Sequence, residues 1–270
     1  MITRFDGKLI KELTNDQLIQ RAKSIANTVG PAEGASEKYS FIPTLNIVNL
    51  LRDDGWIPVK VQEAITRLPN TMGFQRHMVS FTKPSLVESD KRFNLVLYNS
   101  HDRGSAFQLR GGIYRLVCSN GMVIGKDYMS FSHRHLNFEM DKFLESSRII
   151  NQGLLKIADK VEDWTKIKLE RPEQLDFAYA AHNMIYGERE EYPVLHPTLL
   201  TPRRAEDTGN DLWSVYNVIQ ENVTKGGLNA LRSDGRRMKT KPIRDIIRDK
   251  KINEGLWNMA ETMEEWKTAA

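Results

Sequence analysis

A polar turn at 99–105 collects side chains that could act in catalysis. It contains Asn99, Ser100, His101 and Asp102, so a histidine stands beside both a hydroxyl and a carboxylate. Neighbouring residues in a turn rarely point at one another, and a Ser-His-Asp triad is therefore a poor fit to this spacing. Because Asn, Ser and Asp side chains commonly hydrogen-bond the backbone of a turn, the segment is predicted to be mainly structural.

One His-x-His pair, His133 and His135, could bind a metal ion, because on a strand both imidazoles would point to the same side. His101, Glu139 or Asp141 could complete the ligand set, but the spacing indicates no third ligand. We therefore predict no bound metal and no cofactor. The residues that could share a polar site are Asn99, His101, Asp102, Asn120, His133 and His135.

Basic and aromatic residues are interleaved through 76–134, where nine basic side chains accompany four acidic ones. Basic groups neutralise phosphates and aromatic rings stack on unpaired bases, so the pattern indicates a surface for single-stranded nucleic acid. The alternative is that the aromatic residues form the core face of a sheet. The candidate phosphate-binding residues are Arg92, Arg103, Arg110, Arg115 and Arg134, and the candidate stacking residues are Tyr98, Phe107 and Tyr114.

A second basic block lies at 232–251, with nine basic and three acidic residues. Gly235 and Pro242 prevent one continuous helix across it. The competing interpretation is that these cations pair with the acidic stretch 136–200 and hold the C-terminal part in place. The candidate nucleic-acid-binding residues here are Arg232, Arg236, Arg237, Lys239 and Lys241, with Arg244 and Arg248 beyond them.

Composition excludes several classes of protein. The chain has 270 residues, 40% hydrophobic and 27% charged, which is typical of a globular protein with a sizeable core. No apolar run is long enough to span a bilayer, and the N-terminus lacks the apolar region of a secretory signal. The single cysteine, Cys118, excludes an intramolecular disulfide, so we expect a cytoplasmic protein without membrane contact. No phosphate-binding loop, dinucleotide fingerprint, nucleophile elbow or His-Glu-x-x-His motif is present.

The order of predicted elements is helices, then a cluster of strands, then helices, which favours an α+β fold. Short strands with short turns over 56–124 predict an antiparallel sheet, with Leu95, Leu97, Leu116 and Cys118 buried. Gly111 and Gly112 are expected to interrupt this sheet, and 119–121 is expected to form a tight hairpin turn. Helices are predicted at 13–29, 44–53, 137–161, 177–186, 212–223 and 255–264. The predicted domains are an α+β core, 1–200, and a helical, basic region, 201–270.

Several motifs carry a resemblance to a known family. They are Leu97-Tyr98-Asn99-Ser100-His101-Asp102, Tyr114-Arg115-Leu116-Val117-Cys118-Ser119-Asn120-Gly121-Met122, Arg203-Arg204, Leu212-Trp213, Tyr216-Asn217, Gln220-Glu221-Asn222 and Gly226-Gly227. Over roughly 40–265 the chain resembles the family of unknown function that contains the YfjQ/YafZ/YubP-type proteins of phages, prophages and conjugative plasmids. The resemblance implies a setting of mobile DNA in a bacterial cytoplasm, and no agreed activity. The expected architecture is also similar to the core of phage single-strand annealing proteins.

The first functional hypothesis is therefore a DNA-binding protein of a phage or plasmid. It would bind or anneal single strands as a homo-oligomer, without a cofactor and without catalysis. A second hypothesis is an anti-defence or regulatory protein that binds a host protein, with 188–192 as its candidate surface. A third is a metal-dependent hydrolase that uses His133, His135 and a carboxylate such as Asp102.

Overall fold

The computed structural model describes residues 2–5, 8–88, 91–115, 120–123, 129–187, 194–231 and 234–269. Compactness divides the chain into two units, Met1–Leu154 and Leu155–Ala270. A compact unit is not necessarily a segment that folds on its own. The predicted domains, 1–200 and 201–270, therefore stay a prediction. The chain has an α+β fold, as the order of elements predicted.

The first unit is built on a six-stranded antiparallel sheet. Its strands run in the order β3-β4-β5-β6-β7, and β8 pairs with β6 beyond the end of β7. A separate N-terminal hairpin joins β1 and β2. The strands are β1 (Ile2–Phe5), β2 (Lys8–Lys11), β3 (Ile57–Glu63), β4 (His77–Glu88), β5 (Lys91–Asn99), β6 (Phe107–Arg115), β7 (Asn120–Val123) and β8 (Ser130–His133).

The central strand β5 is buried on both faces. Leu95 and Leu97 are at most 1% exposed, as predicted, and Asn94 and Val96 on the opposite face are also buried. A strand covered on both faces reads as an almost continuous apolar run, which is the pattern of residues 93–98. The predicted burial of Leu116 and Cys118 concerns positions outside the described residues.

Strand β6 passes without a break through Gly111 and Gly112, so the predicted interruption is wrong. A Cβ at Gly111 would lie 3.2 Å from Ile150 and 3.3 Å from Leu154, and closer still to Met129. The glycine therefore permits close packing and does not end the strand. The predicted turn at 119–121 is wrong at Asn120 and Gly121, which pair with β6 as part of β7, and its first residue lies outside the described residues.

Three helices accompany the sheet: α1 (Asn15–Arg21), α2 (Thr44–Asp53) and α3 (Met140–Lys166), the last of which continues into the second unit. The predicted helix 13–29 is shorter than expected, since α1 gives way to a 3-10 turn at Lys23–Ala26. Thr14 caps α1, and its side chain accepts from the Gln17 backbone amide. Helix α2 has the predicted bounds, but Pro43 stands at its cap, and Thr44 is fully buried.

The second unit contains α4 (Arg171–Tyr186), α5 (Leu212–Lys225), α6 (Ile246–Ala269) and the hairpin of β9 (Asn229–Leu231) and β10 (Arg237–Lys239). Helix α5 is buried on nearly all sides, and rings of Trp164, Trp213, Tyr216 and Trp257 pack together. The three prolines of 193–202 suggested a loop, but a 3-10 turn forms at His196–Leu200. Helix α6 extends beyond the predicted helix 255–264 at both ends and continues through Gly255.

None of the helices in the described ranges combines the length and the low charge needed to cross a bilayer.

Candidate functional site

The most exposed cationic element is the β9–β10 hairpin. Arg237 pairs with Leu231 and Lys239 pairs with Asn229. Because directly paired residues of an antiparallel ladder point to the same side, these four side chains share one face, which is exposed at every position. We call this surface, formed by Asn229, Leu231, Arg237 and Lys239, the hairpin face.

Cations continue on both sides of the hairpin face. Arg236 is exposed and lies 3.6 Å from Asp234. Lys241 and Arg244 follow β10 and are also exposed. In the described part of the chain, Arg237, Lys239, Lys241 and Arg244 form no ion pair. The predicted pairing of these residues with the acidic stretch 136–200 therefore finds no support there, and Arg232 lies outside the described residues.

Backbone hydrogen bonds and the conformation of Gly226 fix the base of the hairpin; we call this the framework of the hairpin. Gly227 donates to the Thr240 carbonyl at 2.8 Å, and Thr240 donates to the Leu228 carbonyl at 3.0 Å. Gly226 adopts φ 61° and ψ −150°, a region that is essentially restricted to glycine. A Cβ there would lie 2.6 Å from the Lys241 carbonyl group. The Gly226-Gly227 motif therefore sets the path of the chain into and out of the hairpin.

Two arginines tie α5 to this framework. Arg203 donates to Asn222 Oδ1 at 2.8 Å and also to the Gly226 carbonyl. Arg204 pairs with the buried carboxylates of Asp207, at 2.6 Å, and Glu221. These contacts join residues of three separate motifs, Arg203-Arg204, Glu221-Asn222 and Gly226, whereas Gln220 donates to Asn253 of α6. Their role is to position the hairpin.

The cations predicted on the sheet are distributed between its two ends. Arg103 and Arg134 are exposed at the end where β5 and β8 finish, and Arg103 donates to the Glu33 and Gly34 carbonyls. The register places Arg92 and Arg115 on strands at the opposite end. Arg110 is half-buried in the middle of β6. These five residues therefore do not form one surface.

Two of the predicted stacking residues are in the core. Phe107 is fully buried among Phe131, Phe138 and Phe143, and Tyr98 is 5% exposed. Neither ring presents a free face to a base, which corrects the stacking role expected for them. Their burial follows from the two-sided covering of the sheet. Tyr114 lies on β6, and its side chain is outside the described structure.

The polar residues predicted to share a site lie mostly at one end of the sheet. The pairings place Glu63, His77 and Asn99 in one row across β3, β4 and β5, and Phe107 pairs with His133 next to the last β5–β6 pair, Tyr98 with Gln108. His101, Asp102 and His135 follow these strand ends directly. Asn120 pairs with Arg115 at the other end of the sheet, so it is not part of this site.

A buried hydrogen-bond chain organises this end. Asn99 Nδ2 donates to Thr44 Oγ1 at 2.9 Å, and Thr44 Oγ1 lies 2.7 Å from His77 Nε2. The Gln75 carbonyl, 3.0 Å from His77 Nδ1, can only accept, so we assign the proton of the neutral ring to Nδ1, and the Thr44 hydroxyl then donates to Nε2. Ser24 Oγ lies 2.8 Å from Nδ1. Thr44, Ser24 and His77 are fully buried. The neutral imidazole therefore connects α2 and the 3-10 turn to the sheet.

His101 lies beside this chain and is fully buried, with its ring centroid 5.2 Å from His77 and 4.8 Å from Phe41. Among the residues that the structure describes, neither of its ring nitrogens meets hydrogen-bond geometry with a partner. His135 stacks on Tyr39 at 4.8 Å, and its Nδ1 lies 3.2 Å from the Ser40 carbonyl. The backbone of the turn is hydrogen-bonded as predicted: Asp102 accepts from the Gly104 amide at 2.8 Å, and Asn99 accepts from the Ser100 amide at 2.8 Å.

Burial keeps these imidazoles neutral. It lowers the pKa of His77 to about 4. Burial and the neighbouring His77 and His135 rings lower the pKa of His101 to about 3; the Ser24 carbonyl, short of hydrogen-bond geometry, opposes this more weakly. Burial also lowers the pKa of His135. Among the described residues, no group of three His, Cys, Asp or Glu side chains could hold a metal ion.

Sequence reasoning missed His77, Ser24 and Thr44, the residues that make the buried chain. Thr44 was interpreted as a helix cap, and His77 carried no motif. The one available signal was the position of His77 at the first residue of an apolar strand. Sequence reasoning also missed the β9–β10 hairpin, although Gly235, with φ 78°, marks its turn.

Comparison with known proteins identifies the family and no activity. The profile described as a domain of unknown function, DUF932, matches residues 32–257. The UPF0380 protein YfjQ of Escherichia coli K12 is 31% identical over 253 residues, covering 94% of this chain and 92% of YfjQ. The UPF0380 protein YafZ of the same organism is 30% identical with the same coverage. No solved structure matches the chain. Since the profile spans most of the sequence and both relatives align almost end to end, this chain belongs to the DUF932 family.

Proposed function

We propose that this protein binds single-stranded DNA through the hairpin face and promotes annealing of complementary strands, in the setting of phage or plasmid DNA. The observation that carries the proposal is the run of exposed cations Arg237, Lys239, Lys241 and Arg244, which have no acidic partner within the described structure. Unpaired cations held on an ordered hairpin are available to displace counterions from phosphates.

Single strands suit this surface better than duplex. Leu231 is 56% exposed on the same face as Arg237 and Lys239. Unpaired bases offer flat apolar surfaces, which a duplex hides by stacking and pairing. Leu231 lies directly opposite Arg237 and diagonal to Lys239, and a face with an apolar side chain beside cations can contact a base and its phosphates together. Annealing requires only that strands be neutralised, aligned and unstacked, so the proposed function needs no cofactor.

The proposed function includes a homo-oligomer, because annealing brings two strands to adjacent binding surfaces. Arg103 and Arg134, which are exposed on the first unit, are proposed as further phosphate contacts. Light scattering after size-exclusion chromatography, with and without a 20-nucleotide strand, measures the oligomeric state. A monomer under both conditions would contradict the oligomeric part of the proposal.

The test is a fluorescence-anisotropy titration of a labelled 20-nucleotide strand at several salt concentrations. The double variant Arg237→Ala and Lys239→Ala should bind more weakly, and its slope of log affinity against log salt should flatten by about 1.4, or about 0.7 for each lost phosphate contact. The matched control is Arg148→Ala with Lys156→Ala, two exposed cations from the acidic stretch. Equal salt slopes in the hairpin variant and the wild type would refute the proposed interface.

A further inference from the structure

A groove beside the hairpin has the size and chemistry of a nucleotide site. Its volume is about 330 Å³, at the lower end of the range for small-ligand pockets. One side consists of Leu195 and Thr198, at the 3-10 turn His196–Leu200. The other side consists of the hairpin, including Leu231, Arg237 and Met238. The groove lies entirely within the second unit.

The apolar part of the groove is unusually open to solvent. Leu195 is 74% exposed and Leu231 is 56% exposed, whereas Leu199 and Leu228, close to them in the sequence, are buried. Met238 also lines the groove; it is half-buried and lies on the side of β10 opposite to Arg237. Leu195, Leu231 and Met238 give the groove an apolar lining that can contact a flat ring, and methionine adapts readily to different ring shapes.

Polar groups of the groove fit the rest of a nucleotide. Arg237 lines the groove and belongs to the hairpin face, so its guanidinium can reach a phosphate while the leucines contact a base. Asn229 also lines the groove and is exposed, and its amide supplies both a donor and an acceptor for a base edge. The charge of the surroundings is positive: Arg236, Lys239 and Lys241 flank this site. An acidic ligand with an apolar ring matches these groups better than an apolar peptide.

We propose that this groove receives one unpaired base of the bound strand, while the phosphates on either side of that base lie on the hairpin face. The inference rests on the proposed function and extends it, because it separates base binding from phosphate binding on adjacent surfaces. Leu195 and Leu231 contact the faces of the base, and Arg237 neutralises its phosphate. The groove therefore distinguishes a strand with bases from a backbone of equal charge.

The experiment compares a 20-nucleotide oligothymidylate with an abasic strand of the same length and charge, in which tetrahydrofuran replaces every nucleoside. Wild-type protein should bind oligothymidylate about tenfold more tightly, in keeping with the contribution of one well-held base. The variant Leu195→Ser with Leu231→Ser should lose most of this preference and keep its salt slope. Both positions are exposed, so the variant should retain the wild-type melting temperature.

The matched control is Val29→Ser with Leu68→Ser, which are 97% and 61% exposed and belong to the first unit. This control should keep the wild-type preference for oligothymidylate. If wild-type protein binds both strands equally, or if the leucine variant keeps the tenfold preference, the groove is not a base site, while the proposed function stands. If the protein binds neither strand, the proposed function itself fails.

Discussion

Acidification should destabilise the first unit through its buried histidines. His77 and His101 are fully buried, with pKa values of about 4 and about 3 in the folded protein. In the unfolded chain a histidine has a pKa of about 6.5. The folded state therefore excludes a proton that the unfolded state accepts, so stability is complete above about pH 6.5 and is lost as pH falls below it.

The magnitude follows from the two pKa values of each group. At pH 5, relative to pH 8, unfolding is favoured by about 2 kcal/mol for His77 and by about 2 kcal/mol for His101. Their sum, about 4 kcal/mol, is a large part of the 5–15 kcal/mol that stabilises a typical domain. The lowered pKa of His135 acts in the same direction. Ordinary carboxylates titrate mainly below this window, so histidines dominate it.

The assay is urea unfolding at pH 8 and pH 5, followed by circular dichroism, of the wild type and His101→Phe. The replacement removes one titrating group, and within the described ranges neither ring nitrogen of His101 has a hydrogen bond to lose. The loss of stability between pH 8 and pH 5 should be smaller by about 2 kcal/mol in the variant. Taking the difference between the two proteins cancels titration elsewhere in the chain. An identical loss in both proteins would refute the reasoning, and His101→Leu provides a second apolar replacement.

Two further predictions concern the framework of the hairpin. Glu221→Gln should lower the free energy of unfolding by about 2 kcal/mol in urea titrations, because it leaves two cations beside a neutral buried amide; the idea fails if the variant is as stable as the wild type. Gly226→Ala should cost about 3 kcal/mol, since it combines a glycine-only backbone conformation with a clash against Lys241. At Gly227 φ is 78°, but an added Cβ would meet open space, so Gly227→Ala should lower the free energy of unfolding by only about 1–2 kcal/mol. Equal melting temperatures for Gly226→Ala and Gly227→Ala would contradict the clash at Gly226.

The sequence predicted the central strands because their periodicity and their packing agree. Residues 93–99 read as a strand and form β5, since apolar side chains cover both faces. The break predicted at Gly111 is wrong for a physical reason. Glycine occurs both where a strand turns and where another element packs closely against the backbone. Only the position of Ile150 and Leu154, which lie far along the chain, distinguishes the two.

The candidate site was predictable in composition and not in arrangement. Clustered charge indicated Arg237 and Lys239, but no local pattern predicted that three-residue strands would hold them on one face. Likewise, the polar neighbours of His101 in the sequence identified it as a candidate. The ring of His77, 5.2 Å from that of His101, belongs to β4, which is distant in the sequence. Contacts of this kind depend on register, which local sequence patterns leave open until the sheet is assembled.

The edge strand β3 has a consequence for how copies of this chain can associate. It contains Pro58, which has no amide proton to donate, and its register shifts between Pro58 and Lys60. Lys60 is exposed on the same edge strand, and the Pro58 carbonyl already accepts from the Leu13 amide at 2.8 Å. A missing donor, an irregular ladder, an exposed charge and an occupied acceptor each oppose the addition of a further strand. Growth of the sheet from chain to chain through β3 is therefore disfavoured, and a homo-oligomer would have to use side-chain surfaces or another edge. This arrangement also protects the chain from edge-to-edge aggregation at high protein concentration.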